Sequence, residues 1–351
     1  MSLDQATFEK STSKKILLAG NPYLCGLVRL NPGNWLVSKI FTQYANRLYD
    51  FEWKTDDVLI MTYPKCGTTW TQELVWTMRN NPELNHMNAG VALAERVPFL
   101  DQDMLFDYEK TPASIENPLM RNFFMQNPDA KNEAVFFQMA EKLGSPRTIK
   151  THLPFSLFST ELLDKVKVIY VARNPKDVVV SYYHHHRMLK AHNYVGSFDD
   201  FVDYFVNDEF FVGCNDILPY WLHVQEAWQK RNHPNLLFLF YEDMKANING
   251  QISNLNDYLG TKLTTDQIEK VADYCNFSSM SARNNTFLEA ERAEEGAAFV
   301  NLPVVEKDGG FYRKGTTGSW KEKFTSEHEK KIKKWTDEHF LDLGLDFKYS
   351  L

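Results

Sequence analysis

Cysteine is scarce. The four in this 351-residue chain, Cys25, Cys66, Cys214 and Cys275, stand far apart with no CxxC or other metal-ligand spacing, which argues against a disulfide framework or a zinc site. A reducing, cytoplasmic compartment is expected. No stretch approaches the roughly 18 apolar residues of a membrane helix. The opening MSLDQATFEKSTSKK lacks the charged-then-apolar order of a secretory signal, and the apolar run at 16–19 is far too short for one. Basic charge is lacking too: 39 Lys and Arg against 46 Asp and Glu give −7. Nucleic acid is therefore not an expected partner, and any anion site must be local. No repeat, low-complexity tract or Pro/Gly/Ser linker divides the chain, so one domain over 1–351 is expected. What the sequence does hold is 43% hydrophobic and 14% aromatic residues, enough for a large core and incompatible with disorder or fibre.

Four short β-type runs stand out, at 58–63, 148–152, 167–173 and 236–241. They are continuous rather than alternating, as strands covered on both faces are. Helical periods follow the first (68–80) and third (175–189) and precede the fourth (217–230); 327–340 reads as an amphipathic terminal helix. Strands alternating with helices predict an α/β fold with a mostly parallel central sheet flanked by helices, whose ligands lie beyond the carboxyl ends of the strands. The segment 81–147 carries Phe99, Leu105, Phe106, Phe123, Phe124, Phe136 and Phe137 without a clean period. It reads either as irregular core or as a pocket wall built from loops.

The strand ends carry the chemistry. The first runs through Tyr63-Pro64-Lys65-Cys66-Gly67-Thr68-Thr69-Trp70 into a helix, a glycine turn and hydroxyl residues at a helix start, where backbone N–H groups and the helix dipole welcome an anion. Lys65 precedes the glycine, so the Walker pattern GxxxxGK[ST] is absent and the loop is P-loop-like only. An ordinary capped helix start is the plainer reading. The third strand ends at Arg173, and Pro175 suits a first helical turn with Ser181 about two turns on. An arginine fork and a hydroxyl suit a terminal phosphate, and a structural ion pair would use the same arginine. The second strand ends in Lys150-Thr151-His152. Residues two apart on a strand share a face, so Lys150 and His152 could meet one cleft, with His152 a base near neutral pH. Late in the chain, residues 311–321 pack the cations Arg313, Lys314 and Lys321 with Gly315 and Gly318, suited to wrapping phosphate or simply to a surface turn. His184, His185 and His186 are neighbours on a helix, point about 100° apart and cannot share one ion; no metal is expected.

Over about residues 50–325 these motifs resemble, in order, those of the cytosolic sulfotransferases, which use 3′-phosphoadenosine 5′-phosphosulfate (PAPS). The 63–70 loop resembles the family's 5′-phosphosulfate loop, residues 173–181 its 3′-phosphate motif and residues 313–318 its RKGxxG element. The resemblance implies PAPS as cofactor, with 3′-phosphoadenosine 5′-phosphate (PAP) as product. It places Lys65, Cys66, Gly67, Thr68 and Thr69 around the 5′ end and Trp70 on the adenine. Arg173, Ser181, Arg313, Lys314 and Gly315 then hold the 3′-phosphate, while Tyr241 and Phe277 touch the nucleoside. His152 becomes the catalytic base, with Lys65 and Lys150 beside the transferred group, and Phe99 lines the pocket of a small apolar acceptor such as a phenol, steroid or retinoid-like alcohol. Sulfonate carries less charge than a phosphoryl group, so magnesium is not demanded.

Three departures stand out. Cys66 replaces the usual serine or alanine, which suggests either a small packed residue or an oxidisable thiol. Ser319 replaces the aspartate after RKGxxG. The dimerisation pattern KxxxTVxxxE is degenerate, with Lys321, Thr325, Ser326 and Lys330 but no valine or glutamate, and assigns no oligomeric state. Rival readings are a P-loop kinase, against which the missing Walker lysine and metal carboxylates weigh; a module that sequesters nucleotide and ligand without turnover; and a sulfotransferase-fold dehydratase acting through a transient sulfate ester.

Overall fold

The computed structural model describes residues 6–7, 27–30, 35–105, 108, 120–190, 192, 194–207, 216–217, 219–283, 300–340 and 348. Cys25, Cys214, Phe106 and the 16–19 run lie outside them. Eight strands are described: β1 Ala6–Thr7, β2 Leu27–Leu30, β3 Trp35–Ser38, β4 Val58–Thr62, β5 Thr148–Thr151, β6 Lys167–Ala172, β7 Asp216–Ile217 and β8 Leu236–Phe240. The chain groups into two compact units, one of residues 40–172 and 230–276, the other of residues 1–39, 173–229 and 277–351.

The first unit holds an all-parallel sheet in the order β5-β4-β6-β8. Every residue of β4 is buried, as its unbroken apolar run requires of a central strand covered on both faces. Val58 of β4 is level with Thr148 of β5 on one side and Lys167 of β6 on the other, which brings the carboxyl ends of three strands side by side. The chain moves one way from β4 to β5, then returns past β4 to β6 and continues to β8. The direction of winding therefore reverses between β4 and β6, and the crevice beyond such a reversal is where open α/β sheets take ligands. The 81–147 segment supplies short helices, among them Leu93–Arg96, Arg121–Gln126 and Val135–Lys142. Its side chains bear out the core reading. Met120, Phe123, Phe124, Val135, Phe136 and Met139 form a buried cluster, and Phe99 packs against it.

The other unit carries an antiparallel sheet in the order β1-β2-β3-β7 that the apolar runs did not reveal, because two of its strands have only two residues. Around the Pro175–Met188 helix it buries an aromatic core that includes Tyr182, Phe201, Tyr220, Trp221 and Trp335. The helix expected from Ile217 starts instead at Tyr220. Ile217 pairs with Leu36, and Pro219, lacking an N–H, suits the boundary before a helix.

Candidate active site

The turn after β4 owes its shape to two left-handed residues, Lys65 at φ 69° and Gly67 at φ 96°. For lysine this conformation costs roughly 1–2 kcal/mol, the kind of local strain that collects at working sites. Glycine at 67 has a second cause. A Cβ there would stand 2.6 Å from Cδ2 of Tyr241, whose ring closes over the turn from the end of β8. No side chain caps the Thr68–Asn80 helix, and its first internal bond runs from the Thr71 N–H to the Gly67 carbonyl at 3.0 Å. The amides of Thr68, Thr69 and Trp70 thus come before the ladder begins, as in a helix-start anion cradle. The Thr68 hydroxyl is already held, 2.6 Å from that of Thr62. Trp70 stands edge-on to Tyr241, with ring centroids 5.6 Å apart, and its indole N–H is buried without a hydrogen-bond partner. Cys66 is fully buried and its N–H donates to the Tyr63 carbonyl at 3.3 Å, which favours the packing role for the thiol. Uncapped amides, an orphaned indole N–H and a neighbouring lysine fit an anionic group such as the phosphosulfate that the resemblance places here.

At the tip of β5, Nδ1 of His152 lies 2.8 Å from the Thr62 carbonyl oxygen. A carbonyl only accepts, so Nδ1 carries the proton and the lone pair of the neutral ring is on Nε2. The histidine backbone is fixed as well: its N–H donates to Asp101, at 3.2 and 3.3 Å from the two carboxylate oxygens. Asp101 is buried, which pushes its carboxyl up against the lowering effect of the Thr151 and His152 hydrogen bonds and of the Lys150 cation. Burial likewise pulls the Lys150 ammonium down, partly offset by Asp101. Phe99 joins this group by backbone. It forms a parallel bridge with Lys150, whose N–H donates to the Pro98 carbonyl at 2.9 Å. The Lys150 ammonium sits 3.8 Å from the Phe99 ring centroid, and the His152 ring meets Phe99 at 5.1 Å and 82°. Lys150, His152 and Phe99 are therefore together, with an aromatic surface beside the candidate base.

In the other unit, Arg173 donates through Nη2 to the Thr316 carbonyl at 3.1 Å. Burial, and then the nearby Arg173 charge, hold the Arg313 guanidinium below its usual range, so two cations are kept close at a cost that an anion would relieve. Gly315, at φ 60°, lies under Phe277: an added Cβ would meet that ring at 2.1 Å. Phe277 also faces Tyr312 edge-on at 6.2 Å. Ser181 is half-buried on the Pro175–Met188 helix. The Lys314 ammonium pairs with Glu322, both exposed. The rings of His185 and His186 are 6.4 Å apart, and among the described residues no group of three His, Cys, Asp or Glu is placed to hold a metal. Two residues went unnoticed in the sequence: Asp101, two positions beyond Phe99, and Asp177, whose carboxylate reaches residues 318–320. Acids with no motif of their own give no local signal.

The family model described as a sulfotransferase domain matches residues 55–344. The chain belongs to the sulfotransferase family. This sulfotransferase is 33% identical to rat sulfotransferase 1A1 over 317 residues, covering 89% of the chain and 93% of the relative. Firefly (Photinus pyralis) luciferin sulfotransferase is 30% identical over 299 residues, covering 84% and 75%. Among solved structures it is similar to retinol dehydratase in complex with retinol and PAP, with 31% identity, a TM-score of 0.75 and 93% of each chain covered. The sulfotransferase fold accounts for the parallel sheet and its flanking helices. Family membership makes the chain a PAPS-dependent transferase, the activity that its motifs imply.

Proposed function

We propose that the chain acts as one sulfotransferase domain, transferring sulfonate from PAPS to a hydroxyl or amine of a small, mainly apolar acceptor in the cytoplasm, without a metal. PAPS, when bound, supplies the sulfonate and leaves as PAP. The amides of Thr68, Thr69 and Trp70 would take its 5′-phosphate, and Lys65 would supply positive charge against the charge that develops on the leaving group. Trp70 and Tyr241 would contact the nucleoside, and the family resemblance gives Phe277 the same role. Arg173, Ser181, Arg313, Lys314 and Gly315 hold the 3′-phosphate. Nε2 of His152 takes the proton of the attacking hydroxyl as its oxygen bonds to sulfur. Lys150 adds positive charge beside the moving group, and Phe99 offers a flat apolar wall that suits a phenol, steroid or retinoid-like alcohol.

The observation that carries this reading is the bond from His152 Nδ1 to the Thr62 carbonyl. It sets the ring in the basic tautomer at the tip of the strand beside the one that feeds the uncapped turn. The test is a PAPS-dependent screen of phenols, steroids, retinoids and amines with His152→Ala alongside. The variant should bind PAP as the wild type does and lose turnover; equal turnover would remove His152 from the mechanism.

A second reading has its own support in the likeness to retinol dehydratase, also solved with androsterone and inactive cofactor PAP at 32% identity and a TM-score of 0.76. In it the sulfate ester is transient and sulfate departs with a proton from a neighbouring carbon, leaving an alkene. Product mass decides: a gain of sulfonate supports transfer, a net loss of water supports elimination.

A further inference from the structure

We infer that Asp177 is the positioning residue of the 3′-phosphate site, an inference that rests on the PAPS-dependent reading above. Asp177 is 1% exposed and lies in the first turn of the Pro175–Met188 helix, four residues after Arg173. A carboxylate buried this deeply needs its lone pairs satisfied, and the donors come from the far end of the chain. Oδ2 accepts the Gly318 N–H at 2.7 Å, and Oδ1 accepts the Ser319 hydroxyl at 2.9 Å and the Trp320 N–H at 3.1 Å. These donors open the Ser319–Glu322 turn, which has no side-chain cap from its N-cap residue Gly318. Asp177 supplies a negative cap across 141 residues of sequence.

The clamp fixes one end of the 313–318 segment, and the Arg173 bond to the Thr316 carbonyl holds its middle. Lys176 adds a third tie, its ammonium 4.2 Å from the Trp320 ring centroid. Such fastening is needed because Arg313 and Arg173 repel each other. A loop carrying one cation toward another opens unless anchored, and an open loop loses its two-sided grip on a phosphate. Ser319 belongs to the same device: as a hydroxyl it donates to Asp177. The described hydrogen bonds of Asp177 all run to residues 318–320, so its effect on the nucleotide would pass through Arg313 and Gly315.

The test is calorimetric titration of the full chain with PAP and with adenosine 5′-phosphosulfate, which lacks the 3′-phosphate. Asp177→Asn should weaken PAP about ten- to a hundredfold, the loss expected for charge-assisted bonds, and leave the second nucleotide within about twofold. Ser319→Ala, which removes one donor, should shift the same ratio by about two- to fivefold and serves if the asparagine variant does not fold. Equal losses for both nucleotides, or unchanged PAP affinity in a folded variant, would overturn the inference. Failure of the wild type to bind PAP at all would instead sink the PAPS reading, and this inference with it.

Discussion

The two candidate anion sites are built from different materials. After β4 three backbone amides ahead of the Thr71–Gly67 bond join a single side-chain cation, Lys65, on a turn shaped by Lys65 and Gly67. At residues 173–181 and 313–318 the positive potential comes from side chains, two guanidinium groups that repel each other and are restrained by a buried acid. Amides aimed by a rigid strand and helix carry partial charge at fixed positions and need no counter-ion when empty. Full charges bind more strongly but must be held together against their own repulsion. The first site is suited to orienting a reacting group, the second to affinity.

The sharpest division between chemistry and affinity is His152→Ala. Turnover should fall about 10²- to 10⁴-fold, as loss of a general base does, while PAP affinity measured by calorimetry stays unchanged. A parallel loss of PAP binding would merge functions that the geometry separates. Arg173→Ala should weaken PAP by about 2–3 kcal/mol, the range for a buried charge-assisted contact, and spare a nucleotide without the 3′-phosphate; equal losses would erase the contrast between backbone and side-chain sites. Phe99→Ala removes the wall beside the base and should raise the acceptor KM by about 1–2 kcal/mol equivalent, read as a KM change at saturating PAPS. An unchanged KM places the acceptor elsewhere.

A pH profile sharpens the same comparison. Burial lowers the Lys150 pKa, so its charge is lost at a lower pH than an ordinary lysine's as pH rises. Activity should therefore decline on the alkaline side earlier than a free lysine would dictate. Lys150→Arg, which keeps its proton, should move that limb upward in whatever activity remains. Salt gives the smallest effect. Between low and moderate ionic strength PAP affinity should fall about two- to fivefold more than that of adenosine 5′-phosphosulfate, since partly exposed full charges are screened most; parallel curves would contradict it.

Much of this was readable in advance. The runs at 58–63, 148–152, 167–173 and 236–241 are the four parallel strands to within a residue, because strands covered on both faces do not show polar–apolar alternation and read as unbroken β-type runs. The Thr68–Asn80 helix matches its predicted bounds. The antiparallel sheet escaped notice because Ala6–Thr7 and Asp216–Ile217 are too short to show a period. In the 81–147 segment the core reading holds, with Phe99 touching both Lys150 and the buried cluster of Met120, Phe123, Phe124, Val135, Phe136 and Met139.

The sequence by itself determined which strand ends bear lysine, histidine and arginine, where the glycine turn falls, and in what order the motifs come, since periodicity and turn chemistry are local. Tertiary structure alone decided that the Thr62 carbonyl sets the tautomer of His152 across 90 residues, that Phe99 bridges to Lys150, and that Asp177 caps a turn 141 residues away. Those are meetings of polar groups whose only requirement is that a buried donor find an acceptor. Many residues could meet it, and the register of the sheet and the packing of the chain select the ones that do.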